Sequence, residues 1–324
     1  MDKSKRTRDI SIDILKCIAA IIITNSHMEL LYGKYSVLAT GGAIGDVLFF
    51  FCSGFTLFMS RMTRFDNWYK RRINRIYPTV FAWAIVGAFV FNHHFDMKHT
   101  IINGGGWFVT CIMIYYVVLY IIQKLMMDRL KTAFGVSVIV CIIWYFLMDR
   151  PDDYNMYGAT YFKWGHYFLF MLQGAMIGIS MRQWKYDFKW DLLKLTGCVV
   201  AYYAIVISTR KMASVNDVQI LSLIPLLGIT FYFYKLCNSD ILKNCYHHRI
   251  AGWCIKFIGG LCLEIYLIQH ALFTDKMNEI FPLNILIMFL IVFVGAYLLR
   301  CVARVFAQTF KDQEYDWRAV FKMT

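Results

Sequence analysis

Long apolar stretches, separated by short polar breaks, run along almost the whole chain. A helix that crosses a bilayer needs roughly 20 mostly apolar residues, and about ten stretches approach that length. The pattern predicts an all-α fold, a polytopic membrane helical bundle of about ten transmembrane helices. We place the spans at residues 10–31, 38–60, 76–91, 107–122, 132–148, 165–180, 192–208, 218–236, 253–273 and 282–299.

The spans form one predicted domain. No long soluble insert or low-complexity run interrupts them, so we expect a transmembrane domain over residues 1–309 and a short polar tail at 310–324. The first span is longer than the apolar core of a signal peptide and contains Asp13, Lys16 and His27. We therefore expect it to remain in the mature protein.

Composition and charge agree with this pattern. The 324 residues are 59% hydrophobic and 17% charged, which is more apolar surface than a soluble core hides. Of the 34 Lys and Arg residues, 25 lie at the termini and in alternate breaks, against 7 in the opposite breaks. By the positive-inside rule both termini are cytosolic. The net charge of +13 is then a consequence of topology, and no nucleic-acid partner is expected.

The first predicted helix contains three ionisable residues. Charge is costly inside a membrane, so Asp13, Lys16 and His27 should face the protein interior or a water-filled cavity. Lys16 and His27 are eleven residues apart, which places them on one helix face about 16 Å apart along the axis, and Asp13 lies one turn before Lys16. A neutral His27 can accept a proton, as a general base, or an acyl group. The alternative is a histidine that packs between helices or reaches the outer interface.

Two arginines, Arg72 and Arg75, precede the third predicted span on the cytosolic side. Side chains three residues apart on a helix can bind one anion together, and phosphate is the obvious candidate. The alternative is an ordinary anchor on anionic lipid headgroups.

In this order these motifs resemble the integral membrane acyltransferase family 3, whose members include O-acetyltransferases of bacterial surface polysaccharides. The family pairs a basic residue with a histidine eleven positions later, as Lys16 and His27 do here, although most members have Arg in place of Lys16. Residues 45–55, GDVLFFFCSGF, are similar to its glycine, double-phenylalanine and Ser-Gly-Phe pattern, and Arg72 to Arg75 matches its Arg-x-x-Arg motif. Residues 107–108 and 264–270 look like later landmarks. Gln269 stands where the family often has His, so neither Gln269 nor His270 is assigned a role.

The resemblance implies the reaction. Acyl-CoA, with acetyl-CoA the expected donor, would approach from the cytosol with Arg72 and Arg75 on its anionic end. The acceptor would be a hydroxyl of a cell-surface or lipid-linked glycan. His27 would act as base or nucleophile, with Lys16 and Asp13 setting the local electrostatics. The location implied is the bacterial cytoplasmic (inner) membrane, in contact with membrane lipid, and no metal is expected. The oligomeric state is not determined by the sequence.

Other interpretations remain open. A transporter or carrier of lipid-linked glycan without catalysis would also place charges inside the membrane. Glu264 is either a functional carboxylate or half of a buried ion pair. Ser53 fits a helix contact better than a nucleophile, because no nucleophile-elbow pattern surrounds it. The histidines His93, His94 and His99 fit a solvated loop better than a metal site.

Overall fold

The computed structural model describes residues 9–60, 62–94, 96–151, 154–180 and 184–324. Within these ranges the chain folds into α-helices and short 3-10 segments, with no strand. The α-helices in chain order are α1 (Ile10–Ser26), α2 (Glu29–Tyr32), α3 (Gly42–Phe58), α4 (Phe65–Val90), α5 (Met97–Asn103), α6 (Trp107–Leu125), α7 (Leu130–Leu147), α8 (Phe162–Ile179), α9 (Phe188–Lys211), α10 (Leu223–Cys237), α11 (Asp240–His247), α12 (Arg249–Gly260), α13 (Cys262–Leu272), α14 (Leu283–Thr309) and α15 (Trp317–Val320).

Among the described residues, six helical segments are long and apolar enough to cross a membrane. The number rises to as many as eight if each of two bent helix pairs is counted as one span. The six are Phe65–Val90, Trp107–Leu125, Met127–Leu147, Phe188–Lys211, Val215–Cys237 and Leu283–Thr309. The described part of the chain is therefore all-helical, with the spans of a multi-pass membrane protein. The remaining predicted spans, at 38–60 and 165–180, coincide with α3, which has 17 residues, and with α8. The count of ten and the cytosolic ends stay predictions.

Two predicted spans are bent instead of straight. The helix predicted over residues 10–31 stops at Ser26, and the segment Glu29–Leu38 continues at 62° to it. The helix predicted over 253–273 breaks at Leu261, where α12 and α13 meet at 76°. Gly259 and Gly260 end α12, and glycine has a low helix propensity, so the break falls where the helix is weakest.

Helices α3 and α8 pack with almost no side chain between them. A Cβ added to Gly54 would lie 1.9 Å from the Met171 carbonyl oxygen, and one added to Gly174 would lie 2.1 Å from that of Phe51. Small residues allow helix backbones in membranes to approach this closely. The contact fixes α3, which lines the site described below.

Aromatic rings fill the space between α3, α6 and α8. Phe50 contacts Phe108 at 5.0 Å and Tyr167 at 5.4 Å between ring centroids, and Trp107 stacks on Tyr167 at 5.8 Å. By contrast, α7 exposes much of its apolar surface, including Val136, Ile139, Val140, Ile142 and Ile143. This contrast separates a protein-facing core from surfaces suited to lipid.

The predicted tail folds back on the last long helix. Arg304 of α14 donates to the Val320 carbonyl oxygen at 2.9 Å, and the Tyr297 hydroxyl donates to that of Phe321 at 2.9 Å. The segment is thus held against α14, while the division into domains at residue 309 stays a prediction.

Candidate active site

A cavity of about 420 Å³ opens where α1, α3, α4, α6 and α14 meet the bend between α12 and α13. Its charged lining residues are Lys16, Arg72, Arg75, Arg300 and Glu264, a formal surplus of three positive charges. We call it the basic cavity. Such a surplus in a confined space suits an anion, because the low-dielectric walls strengthen each charge interaction.

Arg72 and Arg75 lie inside α4, because that helix begins at Phe65, before the predicted span. The Arg72 guanidinium lies 4.9 Å from the Trp68 ring centroid and 5.7 Å from that of Tyr116. It also donates to the Ser60 hydroxyl at 3.3 Å, while its buried Nε has no hydrogen-bond partner among the described residues. The aromatic rings lie against this guanidinium group, and its Nε–H is among the donors left for a ligand.

Arg300 and Glu264 form an ion pair at the edge of the basic cavity. Arg300 Nε and Nη2 donate to the two carboxylate oxygens at 3.1 and 3.0 Å, and Nη2 also donates to the Gly260 carbonyl oxygen. The ion-pair interpretation of Glu264 is thereby confirmed. The sequence does not indicate that Arg300 lines a cavity, because the last predicted span ends at residue 299 and Arg300 then falls in the cytosolic C-terminal segment. Arg300 and Glu264 are 36 residues apart in the sequence, so no local spacing pattern predicts their ion pair.

Breaking this pair should destabilise the protein. Replacing Arg300 by methionine leaves Glu264 as an uncompensated buried carboxylate, which typically costs about 3–5 kcal/mol. We expect a clearly lower thermal unfolding temperature for Arg300→Met, measured on purified protein in one detergent. The double variant Arg300→Met, Glu264→Gln should recover much of the loss, because neither charge is then isolated. Equal unfolding temperatures for wild type and Arg300→Met would contradict a buried pair.

Of the charged residues predicted on the first helix, only Lys16 lines the basic cavity. It is half-buried there. Asp13 is buried and accepts a hydrogen bond from the Tyr246 hydroxyl at 3.1 Å. Asp13 therefore lies on the same helix as Lys16 but faces α11, since Tyr246 belongs to that helix. Its electrostatic role stays a prediction.

His27 lies at the other end of α1, as the residue that ends the helix. Its imidazole ring contacts that of His270 on α13, with 4.6 Å between centroids and 64° between the planes. The residue that contacts His27 is thus His270, to which the sequence assigns no role. The two histidines are far apart in sequence, so only helix packing brings them together.

A narrow cavity of about 40 Å³ extends the basic cavity along α1 and α13. The two cavities share the lining residues Phe49, Phe108, Cys262 and Leu263, and the narrow one is also lined by Ala20, Ile23, Asp46, Ile265 and Tyr266. Ile23 is four residues before His27, and Tyr266 is four residues before His270. One helical turn along each helix therefore leads from the narrow cavity to the histidine pair.

Two buried polar side chains lie at this turn. The Thr24 hydroxyl and both amide atoms of Gln269 have no hydrogen-bond partner among the described residues. Buried polar groups in native proteins are usually hydrogen-bonded, because leaving one unpaired costs about 1–3 kcal/mol. Thr24 is three residues before His27, and Gln269 directly precedes His270. The packing beside the histidine pair thus leaves hydrogen-bonding capacity that no described residue uses.

Other sequence candidates have less support. Ser53 lines the basic cavity, but the neighbouring Gly54 is the residue that packs on α8. His99 Nδ1 lies 2.8 Å from the amide nitrogen of Asn103. Across the described ranges, no three His, Cys, Asp or Glu residues are grouped so that they could hold a metal ion.

Comparison with known families identifies the chain. The profile of acyltransferase family 3, described as an acyltransferase domain, matches residues 9–301, which include every residue that lines the two cavities. The chain belongs to acyltransferase family 3. Neither the curated proteins nor the solved structures include a significant match.

Membership makes this protein a membrane acyltransferase, and it confirms the resemblance drawn from the sequence motifs. The family match covers Asp13, Lys16, His27, Arg72 and Arg75 alike. The acyltransferase therefore has a charged cavity beside the middle of α1 and a histidine pair at its C-terminal end, and the narrow cavity lies between them along the helix.

Proposed function

We propose that this acyltransferase moves an acyl group, expected to be acetyl, from acyl-CoA to a hydroxyl of a cell-surface or lipid-linked glycan. The observation that carries the proposal is the order of the basic cavity, the adjoining narrow cavity and the histidine pair along one helix. The membrane would be the bacterial cytoplasmic one, with the basic cavity open to the cytosol.

The residues of the basic cavity fit the donor. Coenzyme A bears several phosphate groups, and guanidinium forks bind phosphate oxygens through paired, charge-assisted hydrogen bonds. Arg72 and Arg75 would hold the nucleotide end, with Arg300 and Lys16 adding charge. The pantetheine arm is thin and largely uncharged, and its thioester end would point into the narrow, mainly apolar cavity. Its thioester would then reach towards His27.

The proposed chemistry needs one base at the acceptor hydroxyl. In direct transfer, His27 takes the hydroxyl proton as the oxygen attacks the thioester carbon, the C–S bond breaks, and the CoA thiolate leaves. In the alternative, the neutral His27 imidazole attacks the thioester carbon, the C–S bond breaks and CoA leaves as the thiolate. The acceptor hydroxyl then attacks the acyl carbon, the bond to the imidazole breaks, and the hydroxyl proton passes to the released imidazole. In both routes Lys16 and Asp13 act through their charges.

Loss of Arg72 or Arg75 should weaken donor binding. A charge-assisted hydrogen bond contributes about 1.5–3 kcal/mol, so Arg72→Gln and Arg75→Gln should each raise the dissociation constant of acetyl-CoA at least about tenfold. Equilibrium binding of radiolabelled acetyl-CoA to purified protein measures this. The matched control is Arg71→Gln, since Arg71 is adjacent, exposed and absent from the cavity lining. Unchanged affinity in Arg72→Gln and Arg75→Gln would return both residues to a lipid-anchoring role.

The fate of labelled acetyl-CoA distinguishes an acyltransferase from a carrier of lipid-linked glycan that has no catalytic activity. Purified protein in lipid vesicles is incubated with labelled acetyl-CoA and a glycan acceptor, and both products are quantified. Label appearing on the glycan, with free CoA in equal amount, is the expected result. Intact donor together with glycan movement across the vesicle membrane would overturn the proposal. Mass analysis of surface glycans from a deletion strain then identifies the acyl group and its position.

A further inference from the structure

A second cleft of about 600 Å³ opens at the end of the bundle where α1 finishes, away from the basic cavity. It lies between the loop that joins the first and third helices and the C-terminal half of α9. The side chains that define it are Tyr157, Tyr202, Tyr203, Asn155 and Arg210. We call it the tyrosine cleft.

The tyrosines of this cleft are held in place by the fold. Tyr202 is buried and contacts Tyr157 and Tyr203 edge to face, at 5.5 and 5.2 Å between ring centroids. The Tyr157 and Ser222 hydroxyls are 2.6 Å apart, and those of Tyr203 and Thr40 are 3.0 Å apart. Rigid aromatic side chains lose little conformational entropy when a ligand binds.

The chemistry of the lining fits a sugar. Aromatic rings pack against the C–H faces of a pyranose, while hydroxyl and amide side chains bond to its hydroxyls. The rings here are accompanied by Ser26, Ser36, Thr40 and Asn155. A cleft of this composition is amphipathic in the same way as a carbohydrate.

Arg210 adds a positive charge to this lining. Its side chain is exposed, and none of the described residues that line the cleft is acidic. The nearby Asp217 is paired with Arg150, with 2.5 Å between the carboxylate oxygen and Nη2. An arginine in this setting favours an anionic oxygen on the ligand, because its planar fork matches carboxylate and phosphate.

The cleft also lies next to the proposed reaction centre. Ser26 lines it, and the following residue is His27. The loop at Gly41 and Gly42 lies directly against this end of α1: Gly41 has a left-handed backbone with φ of 100°, and a Cβ on Gly42 would lie 2.8 Å from Ser26 Oγ. A sugar held in the cleft would thus present its hydroxyls to the end of the helix on which His27 lies.

From this geometry we propose that the tyrosine cleft binds the acceptor, and that the acceptor is a sugar unit bearing a carboxylate or a phosphate, whose anionic oxygens pair with Arg210. The inference rests on the proposed function, since it names the substrate class of the same reaction. Both kinds of acceptor place an anionic oxygen on a sugar. That oxygen belongs either to the carboxylate of an acidic sugar within the glycan or to a phosphate linked to the sugar.

The test compares three probes on protein in phosphatidylcholine nanodiscs, which contain no sugar detergent. The probes are a disaccharide containing glucuronic acid, the neutral glucose disaccharide of the same linkage, and glucose 1-phosphate. Titration by saturation-transfer NMR gives each dissociation constant. We expect at least one anionic probe to bind about tenfold or more tightly than the neutral one, and the better anionic probe identifies the source of the charge.

Variants assign this preference to the cleft. Arg210→Gln should abolish the preference for the anionic probe, and Arg210→Lys should retain part of it, because a lysine keeps the charge but loses the planar fork. The matched control is Lys211→Gln: Lys211 is the next residue, is exposed, and does not line the cleft. An equal loss in Lys211→Gln would show general surface charge and overturn the assignment to Arg210.

Two further results would overturn the proposal: equal affinity for all three probes, or binding of none of them. Acetyl-CoA binding to the same preparations separates this failure from that of the proposed function. Normal donor binding without sugar binding counts against the cleft alone. Absence of donor binding counts against the acyl-CoA reaction itself. Arg210→Gln should leave donor binding unchanged, since Arg210 is not in the basic cavity.

Discussion

Replacement of His27 by alanine is expected to abolish acyl transfer while donor binding persists. Of the five predicted site residues, His27 is the one that lies one helical turn beyond the narrow cavity, in contact with His270, where we propose that the acceptor hydroxyl meets the thioester. A positioned general base contributes about 10²–10⁴-fold to rate, and loss of a nucleophile costs at least as much. The measurement is transfer of labelled acetyl from acetyl-CoA to a glycan acceptor, normalised to the amount of folded protein.

Controls for this prediction come from the other histidines. His94→Ala changes an exposed histidine outside both cavities and should leave the rate unchanged. His270→Ala removes the ring that contacts His27 and should lower the rate less than His27→Ala does, because it positions the base without receiving the proton. Full activity in a correctly inserted His27→Ala protein would remove His27 from the mechanism.

Replacement of Gly54 by alanine is expected to destabilise the whole bundle. The added Cβ would lie 1.9 Å from the backbone carbonyl oxygen of Met171, and a backbone atom cannot rotate away as a side chain can. Helices α3 and α8 would have to separate, and overpacking of this kind costs about 1–3 kcal/mol or more. Because α3 lines both cavities, donor binding should fall with stability. Thermal unfolding of purified protein measures the effect.

Gly197 provides the matched control. It lies in α9, is exposed, and has no atom within 4 Å of an added Cβ. Gly197→Ala should therefore leave the unfolding temperature unchanged or raise it slightly, since alanine favours a helix by roughly 0.5–1 kcal/mol over glycine. If Gly54→Ala unfolds at the same temperature as Gly197→Ala, α3 and α8 do not pack as closely as described.

Gln269 illustrates the limit of motif matching. The sequence places it where related proteins often have histidine, and by that comparison it has no role. The structure shows a fully buried amide without a partner among the described residues, one residue before His270. Burial and hydrogen bonding are properties of the packed chain, so neither could be read from residues 264–270 alone.

Features that depend on neighbours within one helix follow from the amino-acid sequence alone. Apolar length predicted a helical membrane bundle, and the spacing of Lys16, His27, Arg72 and Arg75 predicted which side chains share a helix and which family the chain resembles. These inferences hold because helical periodicity and lipid solvation act over about 20 residues or fewer.

The bending of the helices and the contacts between distant residues depend on how the whole chain packs. The bend at Leu261, the Arg300 pair with Glu264, and the contact of His270 with His27 all depend on packing between segments far apart in the chain. The tyrosine cleft likewise combines a loop near α1 with α9. Hydrophobic patterning selects which face of a helix is buried but not its neighbour, which is chosen by the shapes and charges of several helices packed together.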